Sequence, residues 1–413
     1  MNSYDVIVIG SGIAGLNTAY QLLKKNKSLH ILIIEKDSKI GGRIQTINLH
    51  NNLNYESGAI RFYPQHKNLL KLFLDFKITS KDFITIPNEF PREYHITNPK
   101  ISSELREKEL NEILLDTQNI SNFTEKQLHK MSFEKYALTT LGKKDYEYLK
   151  VINGFPHIFQ TSAQYGLELL KRDFVQITEF YILKTLTLTD FLYQMLAKLE
   201  KKGVQLNLDE EFISYKKKPY NYLEIKTNKN TYLTKKLVLA IPSIPLTKLK
   251  LFPKKLTSST IPISLCRMYA IYPSNNYWYK NMKAIYTNEN IQRIYPKGSR
   301  LIQIAYTSIN KADFWNQVSS NQIKLKKELH KELTKMFPKK EISDPDLLNV
   351  HYWPYGIHLW KKGVDYKSIT KDIIQPIANQ EVYICNEAYS KQQRWMEGAV
   401  EMSNRVVKHI YEK

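Results

Sequence analysis

Residues 4–9, "YDVIVI", form a continuous apolar run, and "GSGIAG" follows at once. That junction restricts the fold more than any other feature of the chain. A run without polar alternation marks a strand buried on both faces, as in a parallel sheet. Next comes "LNTAYQLLKK", with apolar residues at helical spacing, and then "LHILIIEK", a second buried strand ending at Glu35. Strand, glycine turn, helix and strand within about thirty residues make a βαβ unit. Gly10-Ser11-Gly12-Ile13-Ala14-Gly15 has the G-x-G-x-x-G spacing, and an acid stands about twenty residues further on, as a dinucleotide fingerprint requires. Gly10 then permits the tight turn, Gly12 lets a pyrophosphate approach the backbone, and Gly15 lets the helix pack on the strand. The helix start at Ile13 and Ala14 attracts phosphate charge. Glu35, followed by Lys36, can accept hydrogen bonds from ribose hydroxyls. A glycine turn in an ordinary doubly wound domain would explain the spacing alone, without the strand, helix and acid around it.

A second glycine motif, "IGGRI" at 40–44, lies just after Glu35. Gly42 and its neighbour let the chain touch a cofactor, and Arg43 can neutralise pyrophosphate. A nicotinamide enzyme does not usually need a second phosphate loop there, whereas a flavin held along its whole length does. FAD is therefore the predicted cofactor.

Further along, residues 65–76 and 103–116 read as amphipathic helices, and 121–201 stays mostly helical until Gly203 closes the last helix at a C-cap position. The period then changes. "VQLNL", "EFISYKKK", "YLEIKTN" and "TYLTKKLVLAIP" are strands, and aromatic-rich strands recur over 261–310. A charged helix is predicted over about 319–336, a final buried strand over 381–389 and a closing helix over about 396–412. No internal repeat or low-complexity linker is visible. The predicted fold class is α/β: a Rossmann-type FAD-binding domain assembled from discontinuous segments (1–75, 203–245 and 376–413). An α+β substrate domain is inserted between them, mainly helical over 76–202 and a mixed sheet plus helices over 246–375.

At 413 residues, 42% of them apolar, the chain is long enough for two domains with large cores. The formal net charge of +21 invites a polyanion partner, but only ten of the 61 basic residues are arginine and the lysines are spread along the whole chain. No specific nucleic-acid ligand is expected. Two distant cysteines, Cys266 and Cys385, make neither a disulfide framework nor a metal cluster, so no metal is expected and a reducing compartment fits. No secretory signal precedes the first strand, and no run reaches the ~18 apolar residues of a membrane span. A cytoplasmic location with no membrane partner follows.

"GSGIAGL", "EKDSKIGGRI", "ESGAIRFYP", "LVLAIP" and "NEAYSKQQRWMEGAVEMSNRVV" together resemble the flavin-containing amine oxidase superfamily in order and spacing over essentially the whole chain. "RIYPKG", "YTS", "HYWPYG" and "WMEGA" are similar to bacterial L-amino-acid oxidases, tryptophan oxidases among them. The resemblance implies that the turn Gly58-Ala59-Ile60 passes the flavin ring and that Arg61 grips the substrate α-carboxylate. A guanidinium matches a carboxylate bidentately, as a lysine would not. It also implies that Tyr306 reaches that carboxylate, although a tyrosine packed on a strand is nearly as good a reading. Trp395 would wall the flavin, Met396 would face its pyrimidine with a backbone N–H, Glu387 would lie near the ribityl chain, and Phe212 would touch adenine. Tyr352, Trp353 and Tyr355 could line the pocket or merely pack. "HYWPYGIHLW" lacks the cysteine to which some relatives attach flavin, so FAD is expected to be noncovalent. Two positions depart from the pattern. Asn386 stands where glycine is frequent, and Arg267 where a lysine usually holds water near flavin N5.

The implied reaction oxidises an L-amino acid, with aromatic side chains and tryptophan favoured. Hydride leaves Cα for flavin N5, O2 takes the electrons as hydrogen peroxide, and the imine hydrolyses to a 2-oxo acid. No residue stands out as the base that must neutralise the substrate amine. An amine or polyamine oxidase and a non-catalytic flavoprotein scaffold are the alternatives, and a homodimer is compatible with any of them.

Overall fold

The computed structural model describes residues 2–49, 53–87, 91–273, 277–298 and 300–412. The first apolar run becomes strand β1 (Ser3–Ile9), followed by helix α1 (Ile13–Lys25) and strand β2 (Ile31–Ile34). The two strands pair in parallel, with Val6 opposite Ile31 and Ile9 opposite Ile34. Gly15 is the reason the helix can lie so close. A Cβ there would come within 1.9 Å of the Gly10 carbonyl oxygen. Gly10 itself has φ +103, a conformation side chains resist.

Among the described residues this unit sits in a seven-stranded sheet. Its order runs Gln205–Asn207, β2, β1, Thr231–Leu239, Leu223–Thr227, Phe212–Lys217, with Val382–Ile384 pairing in parallel with Thr231–Leu239. The contributing segments are thus hundreds of residues apart. A second, six-stranded sheet runs Leu347–Trp360, Thr260–Ile271, Leu301–Ser308, Arg293–Pro296, Ala284–Thr287 and Arg92–His95. Its neighbours are antiparallel except the last pair, which is parallel. Helices between Glu107 and Leu170 pack around their own apolar core.

Several predicted elements shift. The helices expected at 65–76 and 103–116 shorten to Lys67–Asp75 and Glu107–Leu115. The helix expected at 319–336 starts only at Gln322, where the Asn321 side chain caps it. The final strand ends at Ile384, because Asn386 and the residues after it turn into a short 3-10 segment, Glu387–Tyr389. The region expected to be mostly helical up to 201 contains a strand, Glu179–Leu183, which pairs antiparallel with Phe83–Pro87. Neither strand was anticipated, nor was Arg92–His95. All three are short and partly exposed, and their partners are remote in sequence, so no local period marks them.

The Glu179–Leu183 strand explains how the loop after Gly58 is aimed. Phe62 and Tyr181 exchange backbone hydrogen bonds at 3.0 and 2.7 Å. Phe62 then points inward and is fully buried against Phe73, Phe83 and Tyr181. Along an extended chain neighbouring side chains alternate, so Arg61 points the other way. Phe62→Ala is expected to lower unfolding free energy by about 3–5 kcal/mol, the cost of emptying a large aromatic site. Urea unfolding followed by circular dichroism measures it.

Candidate active site

A cavity of about 2080 Å³ opens between the sheets. It begins at the βαβ unit. Gly10, Gly12, Ile13 and Ala14 line it, while Gly15 stays behind, closing helix on strand. Helix α1 has no side-chain cap, since Gly12 occupies the capping position. Its first N–H groups therefore face the cavity with no side-chain competitor. Gly12 and Gly41 form a backbone bridge, and Gly42 would place a Cβ only 3.8 Å from the Gly12 Cα. Two glycine loops thus make one smooth trough of the kind a pyrophosphate needs. At its end Glu35 accepts hydrogen bonds from the Ser11 N–H and hydroxyl, both at 2.8 Å, and from the Asp37 N–H at 3.1 Å. This fixes the carboxylate at the cavity wall, beside Lys36 and Phe212. These residues fit a dinucleotide.

Glu387 gathers the middle of the site. One carboxylate oxygen accepts from Arg43 Nη1 at 2.8 Å and lies 3.0 Å from His358 Nδ1. The other accepts from the backbone N–H groups of Arg394 at 2.7 Å and His358 at 3.2 Å. Burial alone would push this carboxyl up, but Arg43 and His358 hold it well below the usual carboxylate range. Arg43 is therefore partly engaged inside the protein, and also donates to the Gly356 carbonyl. Asn386, where glycine was expected, has φ −159, an extended conformation open to any residue. Its side chain donates to the Ile241 carbonyl and accepts from the Ala388 N–H.

Gly58, Ala59 and Ile60 form the next part of the wall. Gly58 is pressed so close to Arg43 that a Cβ would lie 2.0 Å from the Arg43 carbonyl oxygen. Across the cavity, Trp395 precedes helix Met396–Tyr411, which begins without a side-chain cap. Met396 and Trp395 both line the cavity. The Trp395 ring meets Tyr63 edge-on at 4.5 Å, and its N–H donates to Asp173 at 3.3 Å. Asp173 also takes Arg172 at 2.6 Å and Arg394 at 2.9 Å, and these cations outweigh burial to keep its pKa low.

Cations dominate the remaining wall. The Arg61 guanidinium lies 4.7 Å over the Phe180 ring, and among the described residues no carboxylate is within ion-pair distance of it. Arg267 donates to the Glu56 carbonyl at 3.2 Å and sits 4.7 Å over Tyr306. Arg293, fully buried, covers Tyr306 at 3.9 Å. Burial would raise the Tyr306 phenol, but Arg267, Arg293 and Arg61 bring it down to about 8. Tyr352, Trp353 and Tyr355 all reach the cavity, with the Trp353 N–H bound to the Ser57 carbonyl at 2.8 Å.

Every predicted site residue except Gly15 thus borders one cavity. Sequence reasoning missed Phe180, Tyr63, Tyr286, Tyr295, Lys297 and Asp173, which line it too. Tyr295 and Lys297 sit inside "RIYPKG", a stretch that had been singled out. Phe180 lies on the unforeseen strand. Among the described residues no cluster of metal-binding side chains occurs, and no helix is long and apolar enough to cross a membrane.

A sequence profile for an NAD(P)-binding Rossmann-like domain matches residues 8–76. Achacin of Lissachatina fulica is 34% identical over 84 residues, 20% of this chain and 15% of that protein. A flavin-containing amine oxidase of Oncorhynchus mykiss is 35% identical over 71 residues, 17% of this chain and 13% of that one. The match thus spans less than a sixth of either curated relative. Over the full length, putrescine oxidase bound to putrescine superposes with a TM-score of 0.73 at 16% identity, covering 100% of this chain and 99% of that one. Cyclohexylamine oxidase from Brevibacterium oxydans gives 0.73 at 13%, covering 99% of each. The fold is that of the flavin-containing amine oxidases.

Glu387→Gln tests the central clamp. Removing one partner of a buried charge pair should cost about 3–5 kcal/mol at neutral pH. Because the folded carboxyl has a depressed pKa, its contribution is complete above about pH 4.3, the ordinary glutamate value. It declines as pH falls further toward the folded value. Urea unfolding at neutral and acid pH should show the deficit of the variant shrinking in acid.

Proposed function

We propose that the protein is an FAD-dependent oxidase of L-amino acids. The observation that carries this reading is Arg61, a guanidinium in the cavity wall with no carboxylate partner among the described residues. A half-buried cation of that kind calls for an anion, and a planar guanidinium pairs best with a carboxylate. Tyr306, softened by the cations around it, supplies a second donor to the same group.

Flavin adenine dinucleotide fits the residues present and, when bound, supplies the hydride acceptor. The glycine troughs and the α1 N-terminus would hold its pyrophosphate, Glu35 its ribose and Phe212 its adenine. Gly58, Ala59, Ile60, Trp395 and the Met396 N–H would surround the ring. No covalent link is proposed. The discontinuous segments 1–75, 203–245 and 376–413 then form the cofactor domain, with the substrate domain carried by 76–202 and 246–375. Arg61 and Tyr306 orient the substrate by its carboxylate, which converts a random encounter into a fixed approach of its Cα–H. Tyr63, Phe180, Tyr286 and Tyr295 make an aromatic enclosure, which favours aromatic side chains, tryptophan included. O2 is the proposed electron acceptor.

An amine or polyamine oxidase is the second reading, because the same fold serves putrescine oxidase. The cations Arg61, Arg267 and Lys297 in one cavity count against it, since they repel a substrate that carries only positive charge.

Peroxide release from the twenty L-amino acids, set against the matching decarboxylated amines, decides between the two. Activity on the amines alone would overturn the proposal. Arg61→Ala should cut kcat/KM for an amino acid at least about thirtyfold, the counterpart of ~2 kcal/mol for a buried charge contact. The flavin absorbance spectrum should not change, and loss of flavin instead would assign Arg61 to the scaffold.

A further inference from the structure

The substrate ammonium must lose its proton before its Cα–H bond can break toward an acceptor, because only a free nitrogen lone pair can stabilise the carbon left behind. Three of the cavity's carboxylates are already engaged. Asp173 is locked by Arg172 and Arg394, Glu387 by Arg43 and His358, and Glu107 by Arg92 and Tyr94. His157 borders the cavity but burial drives its pKa far down.

Lys297 differs from all of these. It follows the strand Arg293–Pro296 and is fixed by its own backbone, whose N–H donates to the Leu301 carbonyl at 3.0 Å. Its side chain lines the same cavity as Arg61, Arg267 and Tyr306, with its ammonium 5.9 Å from the Tyr295 ring centre. Its surface is exposed, and part of it lines the cavity. Among the described residues no carboxylate lies within ion-pair distance of it. The charged groups acting on it are Arg267, from the Thr260–Ile271 strand, and Arg61, from the loop after Gly58. Charged and titratable groups of the same sheet that also line the cavity are Arg92 and Tyr94 on Arg92–His95 and the phenols of Tyr286, Tyr295 and Tyr306, each on a further strand.

Resting on the reading of an amino-acid oxidase, we propose that Lys297, in its neutral form, takes the proton from the substrate ammonium. The placement supports this. Lys297 lines the same cavity as Arg61, the proposed carboxylate anchor, and Arg267, so a substrate held by its carboxylate on Arg61 has its ammonium in the chamber that Lys297 borders. Burial, then the repulsion of Arg267 and Arg61, lowers the Lys297 ammonium to about 8, so a useful fraction is neutral near physiological pH. Arrival of the substrate carboxylate at Arg61 offsets one of those repulsions. Lys297 therefore becomes a better proton acceptor at the moment a substrate binds. The step is proton transfer alone. The Lys297 nitrogen lone pair forms the new N–H bond, the substrate N–H bond breaks, and the proton passes to water after product leaves.

Lys297→Arg keeps the charge but cannot shed its proton, whereas Lys297→Met removes both. Anaerobic reduction of the bound flavin by an L-amino acid, followed by rapid mixing, should slow in the wild type as pH falls through about 8. Both variants should lose that limb and run on the order of a hundredfold slower near neutral pH. A second readout needs no turnover. In protein whose lysines carry 13C-methyl labels, Lys297 and Lys311 should both give resonances that titrate near 8 in the wild type, and one of the two should be missing from both variants. A wild-type pH profile in Lys297→Arg, or the absence of such a resonance, overturns the inference alone. A wild-type flavin that no L-amino acid reduces overturns the functional reading, and this inference with it.

Discussion

The carboxylate of Glu387 is the point on which the site is assembled. It receives donors from three stretches that are far apart in the chain: the Gly41–Gly42–Arg43 loop, the long strand carrying His358, and the turn before the last helix. Each brings one wall of the cavity. Arg43 brings the second glycine loop against Gly12, His358 brings the strand that bears Tyr352 and Trp353, and Arg394 precedes Trp395 and Met396. A buried carboxylate accepting this many bonds is satisfied only when all three stretches arrive together. Folding and site assembly are in that sense one event.

The electrostatics divide along the cavity. At the dinucleotide end each charge is answered within the protein: Glu35 by Ser11 and Asp37 N–H groups, Glu387 by Arg43 and His358. At the other end Arg61, Arg267 and Lys297 have no carboxylate partner within ion-pair distance among the described residues; aromatic rings lie over or beside them, and Arg267 also donates to the Glu56 carbonyl. Aromatic faces attract cations without neutralising them. The result is a stretch of cavity wall with positive potential, which favours an anionic group over a cationic one.

Much of this was legible in the residues because the dinucleotide site is local. Gly10, Gly12, Gly15 and Glu35 lie within a single βαβ unit, where spacing and apolar runs carry the whole argument. Arg61 was legible by resemblance, on the intact turn around it. What aims it was not, since the Glu179–Leu183 strand lies more than a hundred residues away and its own stretch reads as helical. Lys297 was hidden for another reason. In a chain so rich in lysine, one more after a proline carries no mark of its own, and its meaning arises only from neighbours on other strands. The Arg43 pairing with Glu387 is similar: the arginine was read as a phosphate partner, and the acid that shares it could be placed only once the chain was folded.

The strands Thr260–Ile271 and Leu347–Trp360 run side by side along almost their whole lengths. Cys266, Met268 and Leu348 belong to the core beneath the six-stranded sheet, while Ile263, Leu265, Leu359 and Trp360 belong to the core around the dinucleotide sheet. Two hydrogen-bonded beams therefore pass through both halves, broken once by a register shift between Ile263 and Leu265, opposite Trp353 to Ile357. Hinge bending needs a few residues free to change dihedral angles, and the ladder leaves that freedom only at this break. Adjustment to ligands of different size is then concentrated at one seam, where Pro354, Tyr355 and Gly356 leave the ladder and line the chamber.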